Sequence, residues 1–161
     1  MATLETLRGL NEVGPYIESV ARQFQKLQFK EFGQLELLEL ADFHAGLFAD
    51  ASDPAGVAWP PLAPSTIKRK GHDTILVETG RLRGSLAQKA TASGGDAVRE
   101  VAELASETDV IFGTLVEYSP YHDVASNNRP ARPHVGVNEQ FVDGFCDRLL
   151  RFAIDELAAT A

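Results

Sequence analysis

The sequence has one cysteine, one methionine and one tryptophan in 161 residues, and the scarcity of sulfur already removes some classes of protein. A lone thiol, Cys146, forms no intramolecular disulfide and supplies no multi-cysteine zinc site. Its place in an apolar helical pattern predicts a small buried filler, with a reactive thiol as the second reading. No apolar run approaches the roughly 18 consecutive positions of a membrane-spanning helix. The opening MATLETLRGL lacks the basic region and long apolar stretch of a secretory leader, so the expectation is a protein made and kept in the cytoplasm, with no membrane partner. Cations are also in deficit: 15 Lys and Arg against 23 Asp and Glu leave a formal charge of −8. That balance argues against a chain that lives by wrapping phosphate backbones.

The chain is 44% hydrophobic and 8% aromatic, enough for one core and short for two, so residues 1–161 are expected to form one domain. Charge is placed unevenly. Residues 31–50 carry Glu31, Glu36, Glu39, Asp42 and Asp50 with no Lys or Arg, while residues 68–89 carry Lys68, Arg69, Lys70, Arg81, Arg83 and Lys89 against Asp73 and Glu78. Opposed patches of this kind suit assembly through unlike surfaces; two solvated faces are the plain alternative.

Periodicity divides the chain coarsely. Residues 1–11 read as a loose arm. Val13, Ile17, Val20, Phe24 and Leu27, then Leu35, Leu38, Ala41, Ala45 and Phe48, recur at helical intervals, so residues 12–50 are expected to be one helix or two, with Gly33 the place for a break. Pro54, Gly56, Pro60, Pro61 and Pro64 make a loop, because each proline fixes its φ and removes an amide donor. Ser65 and Thr79 are candidate caps for short helices, the second carrying Leu82 and Leu86, and Gly80 can take a positive φ. SLAQKATA, AVREVAELA and DVIFGT, separated by turn chemistry, read as antiparallel strands, although AVREVAELA equally fits a helical turn or two, and residues 133–137 suit an edge or closing strand. Residues 115–124 read as a short helix interrupted by Pro120. From residue 138 onward, Phe141, Phe145, Leu149 and Phe152 follow helical spacing behind Asn138 as a cap, giving a helix over 138–160. The fold class expected is α+β: a small antiparallel sheet of three to four strands within a loop and sheet core at 51–137, flanked by N-terminal and C-terminal helices.

Four histidines, His44, His72, His122 and His134, prompt a search for catalysis. None are spaced i, i+4 as in a helical zinc site, and no cysteine or carboxylate cluster completes one, so neither metal nor cofactor is expected. His122 and Asp123 with Ser119 nearby echo a hydrolase set, yet sequence neighbours do not face each other. Gly94-Gly95 and Gly113-Thr114 lack the spacing of a phosphate loop.

Two segments carry more information. The first runs Gly56-Val57-Ala58-Trp59-Pro60-Pro61-Leu62-Ala63-Pro64-Ser65-Thr66, then Lys68 or Lys70, then Ile75-Leu76-Val77-Glu78-Thr79-Gly80-Arg81-Leu82-Arg83-Gly84-Ser85-Leu86. The second comprises Phe112-Gly113-Thr114, Tyr118-Ser119-Pro120-Tyr121-His122 and Arg129-Pro130-Ala131-Arg132-Pro133-His134-Val135-Gly136. Together they resemble the "G-x-x-W-x-P-L … T … K … I-L … T-G-x-L-x-x-S" and "G-T … Y-A-x-x-H-x-x-G … P-A-R-P-F-L-G" patterns of the virion-morphogenesis, or tail-completion, family of Mu-like and related tailed phages. The matches run in order over residues 56–136. The chain departs from the pattern in having Ser119-Pro120 after the tyrosine, no glycine after His122, and His134 where an aromatic or aliphatic residue is usual.

The resemblance implies a structural protein of the virion, a ring at the head–tail junction with a neck, tail-terminator or tail-completion role, and no enzymatic activity. It implies a cyclic homo-oligomer, hexamer first and dodecamer second, that meets connector, neck and tail tube proteins while DNA passes through its lumen unbound. It further implies contacts to subunits or partners at Trp59, Leu62, Thr79, Gly80, Arg81, Leu82, Tyr118, His122, Arg129, Pro130, Arg132 and Pro133. On the residues themselves, Trp59 is either such an anchor or a staple for its own loop, and Arg129 and Arg132 either meet an acidic neighbour or form internal salt bridges. The second functional class is a nucleic-acid-binding module that uses the basic 68–89 segment.

Overall fold

A computed structural model describes residues 14, 15, 17–19, 29–87, 101–106, 109–126 and 129–159, the first few as isolated helical positions and 101–103 by backbone only. Helix α1, Phe29–Asp50, buries Phe32, Gly33, Glu36, Ala41, His44, Leu47 and Phe48, positions that at about 3.6 residues per turn share one broad face. It ends on Ala51 at φ 50°, with the Ser52 N–H donating to Leu47 O at 3.0 Å. This is a left-handed terminator of the kind glycine usually provides. The expected break at Gly33 does not occur. A Cβ there would lie 3.0 Å from Val110 Cγ2 and 3.1 Å from Ala105 Cβ, so the glycine admits a strand pair against an unbroken helix.

Residues 51–63 form the predicted irregular loop, pinched by an antiparallel bridge between Ser52 and Ala58. Helix α2, Pro64–Lys70, starts with proline in its first turn behind Ala63 rather than Ser65, and stops at Gly71, φ 78°. Helix α3, Arg81–Leu86, follows Gly80 at φ 85°. Thr79 Oγ1 accepts only a long 3.4 Å contact from the Arg81 N–H, so the glycine rather than the threonine sets this turn.

The sheet has two antiparallel strands among the described residues, β1 (Val101–Ala105) and β2 (Val110–Thr114), with Val101 opposite Thr114 and Ala105 opposite Val110. The molecule is α+β as expected, and among the described residues the sheet has two of the three to four strands expected. Most of SLAQKATA and the first half of AVREVAELA lie outside the described residues, as do the arm at 1–11 and most of 12–28. Residues 133–137 are irregular rather than a closing strand. Two of their backbone groups meet side chains instead, Pro133 O the Trp59 indole and the Gly136 N–H the His44 ring, and a ladder would compete for them. Pro120 does not interrupt a helix but opens one, α4 (Pro120–Asp123), where its missing N–H costs nothing.

Helix α5, Glu139–Ala159, begins behind Asn138, whose Oδ1 accepts from the Phe141 N–H at 2.8 Å, the cap the sequence predicts. It packs on α1 through rings: Phe29 with Phe152, Phe32 with Phe145 and Phe152, and Phe43 with Phe141, all at centroid distances of 5.1–6.2 Å. Such pairs are worth roughly 0.5–1.5 kcal/mol each beyond the area they bury. One polar link joins the same two helices. Arg148 donates from Nε and Nη2 to Glu36 Oε1 and Oε2 at 2.6 and 2.7 Å. Glu36, counted in the acidic face by sequence, is 1% exposed. Cys146 is exposed, not a filler, because it lies off the stripe Phe141, Phe145, Arg148, Phe152. An open groove of about 500 Å³ remains between the helices and the strand pair, lined by Phe29, Phe32, Leu40, Phe141, Phe145 and Leu149 among others.

Candidate functional site

The two motif-bearing segments meet in space. Phe48, Trp59, Leu82, Leu86 and Val116 form a buried cluster, with Ile75, Leu76, Val77, Phe112 and Tyr118 packed around it. Trp59 stacks edge-on to Phe48 at 5.6 Å and donates its indole N–H to Pro133 O at 2.8 Å. Arg132 returns the connection: its Nε donates to Pro60 O at 2.9 Å and its Nη2 to Pro61 O at 3.0 Å. Its own backbone N–H donates to His122 O at 2.6 Å. The prolines explain the arrangement. They hold the carbonyls of residues 60 and 61 in fixed directions and offer no donors of their own, so a planar guanidinium can satisfy two of them at once. Ser85 and Thr114, one from each segment, share a hydroxyl hydrogen bond of 2.6 Å behind the cluster.

A second layer of this junction is built from histidines. Nδ1 of His134 lies 3.1 Å from Arg132 O and 3.2 Å from Asp123 Oδ1, both acceptors, and so carries the proton. Nε2 then accepts from the Ser119 hydroxyl at 2.8 Å. His134 is fully buried and Ser119 nearly so, at 4%. Burial pushes the His134 pKa down, against the opposing pull of Arg132 O and the Asp123 charge, so the ring is neutral at pH 7 and the Asp123 contact is a hydrogen bond. His44 is also neutral: burial outweighs the Leu40 carbonyl that its Nδ1 meets at 2.7 Å. Its Nε2 accepts a long 3.4 Å contact from the Gly136 N–H. His122 stands edge-on to both Tyr118 and His134 at 6.1 Å. Its Nδ1 is buried without a hydrogen-bond partner, and burial, then the neighbouring His134, Arg129 and Arg132, lower its pKa.

Ser119, His134 and Asp123 therefore line up as hydroxyl, imidazole and carboxylate, an order that hydrolases use. The exposures run the wrong way for that chemistry. A nucleophile must meet substrate and its orienting carboxylate is sheltered, whereas here the hydroxyl is sealed in and the Asp123 side chain is 42% exposed. Among the described residues there is no group of three or more His, Cys, Asp or Glu side chains arranged to hold a metal ion.

The residues named from the resemblance fall into two sets. Trp59, Leu82 and Arg132 are buried inside the chain, and Pro133 supplies the carbonyl that holds Trp59. Trp59 thus takes the stapling role of its two alternatives. Arg132 takes neither of those weighed for it, because its partners are carbonyls and not carboxylates. Thr79 and Pro130 are exposed, and Leu62, Gly80, Arg81, Tyr118, His122 and Arg129 are half-buried. Arg81 lies over Tyr118 at 5.5 Å and Arg129 over Tyr121 at 6.0 Å. Sequence reasoning named Ser119 and His134 separately and missed that they pair, and it missed the Glu36–Arg148 pair. The signal for the first pair was present: Ser119 and His134 are both departures from the family pattern, and they are hydrogen-bonded to each other. Compared with models of known families, with curated proteins and with solved structures, the chain matches none.

Proposed function

We propose that this chain is a structural, ring-forming protein of a tailed phage virion, acting at the head–tail junction as a tail-completion, tail-terminator or neck protein and catalysing nothing. The observation that carries the reading is the junction itself. The residues on which the resemblance rests, Trp59 with Pro60 and Pro61 on one side and Arg132 with Pro133 on the other, are one another's hydrogen-bond partners. A motif whose members lock two loops together is a motif of architecture. The departures agree: where the pattern places small and apolar residues, Ser119 and His134 substitute a matched polar pair, which keeps a buried position satisfied. The sealed hydroxyl of that pair favours a structural role over hydrolysis.

In this reading the working form is a cyclic oligomer that joins connector and tail tube proteins, made in the host cytoplasm and retained in the particle. The test is mass spectrometry and electron cryo-microscopy of purified tailed particles and of assembly intermediates from cells producing the chain. The expected result is a ring of this protein at the end of the tail, with unjoined heads and tails accumulating when the protein is withdrawn. Absence from particles and intermediates alike ends the reading.

A further inference from the structure

The ring-forming reading above requires two unlike surfaces on each subunit, and the structure offers a candidate pair. Leu35 and Leu38 on α1 are each 60% exposed, while the helix packs its opposite side on the strand pair, α3 and α5. Glu31 and Asp42 lie one turn before and one turn after them, at the i, i+4, i+7, i+11 spacing of a single stripe. Glu31, Glu39 and Asp42 are exposed. Two exposed leucines alone need no explanation; two leucines centred in a one-signed polar frame have the layout of an interface, apolar in the middle and charged at the rim. Charge identifies the occupant. Helices α2 and α3 hold no acidic residue in their first turns, and every basic side chain of α2 sits in its last turn. Lys68, Arg69 and Arg83 are exposed there. The Arg69 ion pair with Glu78, 3.0 Å long, is 65% and 59% exposed, a pairing that water weakens and a partner can exchange.

We infer that the outward stripe of α1, centred on Leu35 and Leu38, docks on the basic α2–α3 segment of a second copy of this chain. The contact is heterologous, so a joined pair still presents one acidic patch on one copy and one basic patch on the other, and assembly continues until the ring closes. The charges set partner and register, and the leucines supply the area removed from water.

Light scattering on the full chain and on two charge-reversed variants tests this. E31K/E39K reverses the acidic face and K68E/R83E the basic one; all four positions are exposed, and thermal melts by circular dichroism check that both variants fold. Wild type is expected to assemble, with a mass that falls as salt screens the contact. Each variant alone should self-associate at least tenfold more weakly. A 1:1 mixture should regain wild-type assembly, because each variant keeps one original face and the two reversed faces match each other. L35S/L38S should dissociate without responding to either partner. Folded variants that assemble like wild type, or a mixture that stays apart, overturns the proposal. So does a result in which K68E/R83E only abolishes retardation of duplex DNA in a gel and leaves assembly untouched. Finding the chain in virions while both variants assemble normally sinks this contact and leaves the virion reading standing. Restoration on mixing with a chain absent from virions does the reverse.

Discussion

Between α1 and α5, four ring contacts and one bidentate ion pair hold two regular elements together. Between the proline loop and residues 118–136, side chains donate to carbonyls of backbone that has no ladder of its own. A helix satisfies its own backbone, so its packing face tolerates any apolar side chain of suitable volume. An irregular loop must find a partner for each buried carbonyl, and those partners are particular atoms of particular residues. The helical layer should therefore tolerate substitution that the junction does not.

The sharpest break of this contrast is at Trp59. Trp59→Ala should cost about 3–5 kcal/mol in denaturant unfolding. Trp59→Phe, which keeps most of the area but strands Pro133 O, should cost about 1–3 kcal/mol, while Phe145→Leu in the helical layer should cost under about 1.5 kcal/mol. Equal losses for the last two would dissolve the comparison.

The ion pair refines it, since it is a place where the helical layer depends on named atoms. Arg148→Ala leaves the Glu36 carboxylate stranded at 1% exposure and should cost about 3–5 kcal/mol. Glu36→Ala leaves an arginine whose side chain is 36% exposed and can turn to water, so its cost should be nearer 2 kcal/mol by the same reasoning. Chemical denaturation of both variants checks the order.

Within the junction, Ser119→Ala removes the donor to His134 Nε2 and should cost about 1–3 kcal/mol; S119A/H134F also removes the N–H that Arg132 O and Asp123 accept, and should recover little of that. Acid adds a second readout. His44, His122 and His134 are held neutral below the ordinary histidine value. As pH falls below about 6.5 the unfolded chain takes up protons that the folded chain refuses, and stability declines until the depressed folded values are passed. Each such group steepens the decline by up to about 1.4 kcal/mol per pH unit, so the double variant should show a shallower curve than wild type in urea midpoints measured between neutral and mildly acidic pH.

The smallest effects separate two glycines of α1. Gly33→Ala should cost about 1 kcal/mol or more, since its Cβ meets Val110 and Ala105 at 3.0 and 3.1 Å. Gly46→Ala meets nothing within 4 Å and should gain up to about 1 kcal/mol from helix propensity. Midpoints of thermal unfolding suffice for both.

The same contrast explains what the sequence revealed. Helix α5 and its Asn138 cap were legible because a stripe of Phe141, Phe145, Leu149 and Phe152 repeats a single local rule. The loop at 51–63 was legible from its prolines. Gly33 was misread because a glycine inside a helix has two uses, ending it or admitting a neighbour, and the neighbour, the β1–β2 pair, lies more than seventy residues on. Cys146 was misread by counting apolar neighbours instead of following the stripe. The strand expected at 133–137 failed because alternation says nothing of side chains such as Trp59 and His44, which meet Pro133 O and the Gly136 N–H. Ser119 and His134, each an oddity alone, became intelligible only as a pair.

Trp59 is the sole tryptophan of the chain, and it sits in the junction with its indole N–H engaged. Its fluorescence consequently reports the polarity of that one region, whereas far-ultraviolet dichroism is dominated by α1 and α5. Followed together through one titration, the two signals assign an order of events to the two regions: coincident transitions mean they melt as one cooperative body, and an earlier red shift in emission means that the loops let go while the helices still hold.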